Sequence, residues 1–162
     1  VDIYPVESNL STDKLPPEGD HVPALPWVER HAIDPDHDYI AMASKLPLKR
    51  HRTIPRFLRD TLRIRRQLAE TPGLVGYGLN AQLLRKTFWT FSVWQDQASL
   101  DAFAASDPHR HITGRLAPHM HPSRFAFFAI AGGDVPLTWD EVTVRLDPAT
   151  PSSGVPIHDE GR

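Results

Sequence analysis

The chain contains no cysteine. Disulfides, thiolate zinc sites and cysteine nucleophiles are excluded by that absence alone. Long apolar runs are missing as well. No window approaches the roughly 18–20 uninterrupted apolar residues of a membrane-spanning helix, so we expect no membrane partner and take the cytoplasm as the default compartment. Neither sign of charge dominates: 18 Lys and Arg against 20 Asp and Glu leave a net charge of −2. That balance offers no global attraction for nucleic acid, and no nucleic-acid partner is expected. A Gly-rich phosphate loop, a Gly-x-Ser-x-Gly elbow and a dinucleotide fingerprint are all absent.

Proline, by contrast, is abundant, with 16 in 162 residues. Pro5, Pro16, Pro17, Pro23, Pro26 and Pro35 punctuate the start, and Pro148, Pro151 and Pro156 the end. Each lacks a backbone donor and clashes with a preceding helical turn, so long helices and central strands are not expected there. The chain therefore divides into an extended arm over 1–36, a folded body over 37–146 and a flexible tail over 147–162. Val22, Leu25, Trp27 and Val28 are the arm residues able to pin it to the body or to a partner subunit.

Within the body, Tyr39 to Leu46 has the length and apolar content of a strand. Phe57, Thr61, Ile64 and Leu68 recur at helical spacing, with Leu58 and Leu62 alongside, and Pro72-Gly73 stops that helix. Leu74–Ala81 and Thr87–Trp94 read as a hairpin. In its second strand Trp89, Phe91 and Val93 point one way, and Phe88, Thr90, Ser92 and Trp94 the other. Asp96 is an N-cap for the next helix, and Asp107-Pro108 opens a second short one. Arg124 to Ile130 is a further strand, broken by Gly132-Gly133, and Thr138-Trp139-Asp140-Glu141 is a capping-box signature. The order β-α-β-β-α-β plus a terminal helix is the ferredoxin-like arrangement of an α+β protein.

Three groups of residues have chemical potential. His109, His111, His119 and His121 lie close together in the sequence. On a helix, residues two apart point to different sides, so His109 and His111 cannot chelate one ion together. His119 and His121, with His111 as a third ligand, are a conceivable metal set, but the spacing matches no strong zinc signature, and no metal is expected. His109 shares a stripe with Ile112 and Leu116 and faces inward. The aromatics come second. Trp94 reads as core and Trp89, on the opposite face, as the pocket candidate, while Gly76-x-Gly78 reads as a close backbone approach. The third group is a basic stretch from Lys45 to Arg66, which reads as a solvated helix face or as a contact for an anionic substrate tail.

Pro72-Gly73 after a helix, followed by Phe91-Ser92-Val93-Trp94, Asp96, Leu100 and Phe103, resembles the antibiotic-biosynthesis-monooxygenase superfamily. Phe125 to Leu146, with Gly132-Gly133, Pro136 and Arg145-Leu146, is also similar to relatives around spheroidene monooxygenase. The likeness covers about residues 38 to 146. It implies a homodimeric α+β barrel whose two subunits close their sheets face to face, and a small-molecule monooxygenase with a hydrophobic or aromatic substrate between sheet and helices. Cofactor-free members place Asn, Trp and Arg around the substrate, for which Asn80, Trp89 and Arg115 are available. With His109 as acid–base residue, the expected catalytic set is His109, Arg115 and Trp89, with no cofactor. A haem enzyme with His109 as axial ligand and a non-catalytic small-molecule-binding barrel are the alternatives that the same resemblance implies.

Overall fold

The computed structural model describes residues 21–147. Five strands, β1 (His21–Glu29), β2 (Asp38–Pro47), β3 (Leu74–Gln82), β4 (Thr87–Trp94) and β5 (Arg124–Ala131), form one antiparallel sheet in the order β1-β3-β4-β2-β5. Helices α1 (Ile54–Glu70), α2 (Gln97–Ala105) and α3 (His109–Leu116) cover one face, and α4 (Trp139–Arg145) lies against the other. Strands β2 to β5 keep the ferredoxin-like order expected from the element sequence, and β1 is added beside β3.

That fifth strand departs from expectation. Residues 21–29, read as part of a proline-punctuated arm, pair with β3 from His21↔Gln82 to Glu29↔Gly76, with two register shifts on the way. Proline is tolerated there because an edge strand needs donors on one side only. Trp27 fastens it to its own sheet, with its ring 5.6 Å from that of Phe91, so this part of the arm packs on its own body. The remainder of the arm, 1–20, and the tail from 148 onward lie outside the described residues.

Local chemistry sets the other elements. Pro55 occupies the first turn of α1, where its missing donor costs nothing, and Gly73 at φ +78° turns the chain into β3. Asp96 caps α2 by accepting from the Ser99 N–H at 2.7 Å. Thr138 and Glu141 form the expected reciprocal capping box of α4. Helix α3 starts at His109, with Pro108 as its N-cap.

The sheet separates two apolar layers. On the α1–α3 side, Trp94 and Phe88 are wholly buried, with Leu74, Leu79, Phe57, Phe103 and Ile112 around them. Alternation puts Val75 on the opposite side from Leu74, and a break in the β3–β4 register between Leu74 and Gly76 keeps Gly76 on that same opposite side, beside Val93. There Tyr39, Ala41, Ala43, Phe91, Val93 and Phe128 meet Val142 and Leu146 of α4.

Candidate functional site

The α4 side of the sheet is only partly covered. Its floor is a set of cross-strand rows fixed by register. Gly76 lies beside Val93 and Ala41, Gly78 beside Phe91 and Ala43, and Asn80 beside Trp89 and Lys45, with Arg124 next on β5. Gly76 makes room for one aromatic ring, and Gly78 lies against another. A Cβ at Gly76 would collide with the Trp27 indole, and one at Gly78 would sit 3.4 Å from Trp139. The close approach expected of Gly76-x-Gly78 is thus made by tryptophans, one from β1 and one from α4. Beyond them the cover ends, and Asn80, Trp89 and Lys45 are half-buried while Arg124 is exposed.

This uncovered row is polar in one sense only. The Trp89 Nε1 is buried and has no hydrogen-bond partner among the described residues. Asn80 uses its carboxamide oxygen to accept from the Ala81 N–H at 2.9 Å, which leaves its Nδ2 as a donor. The Lys45 ammonium lies 6.0 Å from the centre of the Trp89 indole, a weak cation–π contact. Among the described residues no carboxylate comes within ion-pair distance of Lys45 or Arg124. Cross-strand neighbours on one face of a sheet lie close enough to act on one ligand. The arrangement offers a flat apolar floor edged by hydrogen-bond donors and positive charge.

The three residues expected to converge do not. Trp89 stands on this row, but His109 and Arg115 belong to α3, across the sheet. His109 is half-buried with its ring 4.6 Å from that of Phe103, and its Nδ1 lies 3.3 Å from the Ala104 carbonyl oxygen. Burial lowers its proton affinity, and the Ala104 carbonyl opposes that effect. Arg115 donates to Asp60 at 2.8 Å. Asp60 is completely buried in α1, with Arg56, Arg59 and Arg63 also within ion-pair distance. Arg115 is therefore occupied in holding α3 to α1, a role that helical spacing alone could not reveal. The cations that do accompany Asn80 and Trp89 are Lys45 and Arg124. Strand alternation from Ala43 and Ala126 could have found both.

Histidine placement also bears on the other expectations. His111, His119 and His121 are exposed, and among the described residues no group of three potential ligands could hold a metal ion. A haem on the α4 side would need an imidazole there. On that face β2 to β5 present no histidine, and His109 is across the sheet, so the residues around Trp89 do not fit an axial-ligand site. A shallow, solvent-open groove between α1 and α2, lined by Gln67, Thr71, Ser99 and Ser106 among others, carries three carboxylates and lies away from Trp89.

No protein-family model and no curated protein matches the sequence. Solved structures do. The chain is similar to a candidate monooxygenase from Fusobacterium nucleatum (TM-score 0.53, 11% identity, 61% of this chain and 45% of that one). It is similar to a variant of SnoaB, a cofactor-independent oxygenase from Streptomyces nogalater (TM-score 0.51, 17% identity, 62% of this chain and 99% of that one). A third likeness is to an antibiotic biosynthesis monooxygenase (TM-score 0.51, 15% identity, 55% of this chain and 95% of that one). The chain spans less than half the length of the Fusobacterium protein. At these identities the likeness concerns the fold.

Proposed function

We propose, from the antibiotic-biosynthesis-monooxygenase-like fold that this chain adopts, that it is a monooxygenase-type oxidoreductase acting on a hydrophobic aromatic small molecule held against Trp89. The observation that carries the reading is the half-covered row of Asn80, Trp89 and Lys45 beside the apolar Phe91–Ala43 row. A flat substrate would stack on this floor with an oxygen substituent facing the donors. The similarity to a cofactor-independent oxygenase favours chemistry in which the substrate itself supplies the electrons. An activated CH2 loses a proton, the carbanion adds dioxygen, and the hydroperoxide loses water to leave a carbonyl. One oxygen atom ends in product and one in water. The chain's part is to orient the ring, exclude water and steady the anion through donors that need no reorganisation.

A homodimer completes the proposal. One chain leaves the row partly open to solvent, so a second sheet laid over it would turn a floor into a closed pocket. Of the residues expected to be catalytic, Trp89 is the one we place in that pocket. His109 and Arg115, on the far side of the sheet, would not reach a ligand held there.

Oxygen uptake tests the reading. Anthrone, an aromatic with an activated CH2, should be consumed with equimolar dioxygen by the purified protein without added metal or haem. Replacing Trp89 by Ala should abolish most of that rate. Anthrone binding without turnover would assign the non-catalytic reading instead. A Soret band with added hemin that disappears in His109→Ala would assign the haem reading.

A further inference from the structure

We infer that Lys45 selects the substrate: the site takes an aromatic molecule carrying an anionic oxygen, and this cation sets the preference. The inference rests on the pocket proposed above and specifies what enters it. Every free polar group of the row is a donor: the Trp89 Nε1, the Asn80 Nδ2 and the Lys45 ammonium, with Arg124 beyond. The one acceptor of the row, the Asn80 carboxamide oxygen, is taken by the Ala81 N–H.

Lys45 is a half-buried lysine with no acid partner among the described residues. Five arginines of the described residues do have carboxylate partners, four around Asp60 and Arg110 with Asp107. Lys45 instead stands between Ala43 and Pro47 on an apolar face, beside Trp89 and opposite Arg124. On that face β2 to β5 present no Asp or Glu. The missing counter-charge is thus supplied by the ligand, whose anionic oxygen would take charge-assisted bonds from the Lys45 ammonium and the Asn80 Nδ2. The same placement lets Lys45 hold the charge that develops when a neutral CH2 or phenol is deprotonated.

Calorimetric titration of the full chain at neutral pH tests this with three probes of one ring system: naphthoate, dinitronaphtholate and neutral naphthalenemethanol. At least one anion should bind about tenfold more tightly than the alcohol. Which anion gains shows whether a carboxylate or an enol-type oxygen is read. Lys45→Met should remove the anion's advantage and leave the alcohol's affinity unchanged, and Lys45→Arg should keep the advantage. Thermal melting of each variant separates lost charge from lost fold. Equal binding of anion and alcohol, or an anion preference that survives in Lys45→Met, overturns the role of Lys45 while leaving the pocket intact. Absence of binding by all three probes overturns the pocket reading and this inference with it.

Discussion

Asp60 and Lys45 are charges withdrawn from water in opposite ways. Asp60 is wholly buried but ringed by arginines, so its desolvation is offset by attraction and hydrogen bonding. Lys45 keeps partial access to solvent and has no carboxylate within ion-pair distance among the described residues. The face that Lys45 takes was legible, by alternation from Ala43. The burial of Asp60 was not, because it lies within a basic stretch and its ring of arginines includes Arg115, far along the chain. Trp89 was legible, because alternation with the core Trp94 requires it to face the other way. His109 was legible as inward-facing but not as remote from Trp89. Its behaviour yields a prediction. Folding lowers its proton affinity, so the folded state binds fewer protons than the unfolded one, and stability falls as pH drops below its ordinary value of 6.5. Melting curves from pH 7 to pH 5 should show the wild type losing more stability than His109→Gln. Parallel losses would contradict this assignment.

At the scale of elements, most of the architecture could be read directly. Periodicity located α1, alternation located β4, and side-chain chemistry located the starts of α2 and α4. Strand β1 escaped because Pro23 and Pro26 argue against a strand unless it is known to lie at an edge, and edge position is decided by tertiary pairing. The exposure of Leu58 and Leu62 also escaped, since the apolar stripe of α1 is narrower than its composition suggests and includes Asp60. Helix α4 has only seven residues, too few to persist alone, and it depends on its cap and on Val142 and Leu146. Thr138→Ala removes that cap and should cost about 1 kcal/mol, lowering the melting midpoint by roughly 3 °C. It should also speed amide exchange in α4 more than in α2. Uniform acceleration across both helices would show that α4 is not a separate unit of cover.

At the scale of the whole molecule, the unequal cover of the two faces is the main fact. Three helices seal one face, while one short helix and Trp27 seal part of the other. Sedimentation equilibrium at micromolar concentration should find twice the mass of one chain, and a tightly binding aromatic anion should strengthen that association. A monomer at all concentrations would remove the proposed lid and leave the floor open. The two borders of the sheet also differ. Strand β1 carries two prolines and an irregular register, so it offers a poor template for another strand, whereas β5 is regular and shows Phe125 and Phe127 on its surface. A polymer grows only when both ends of its repeating unit can accept a neighbour. Through its borders alone, a molecule with one receptive edge and one blunted one can join a twin, but its described strands offer no second edge from which the sheet could continue.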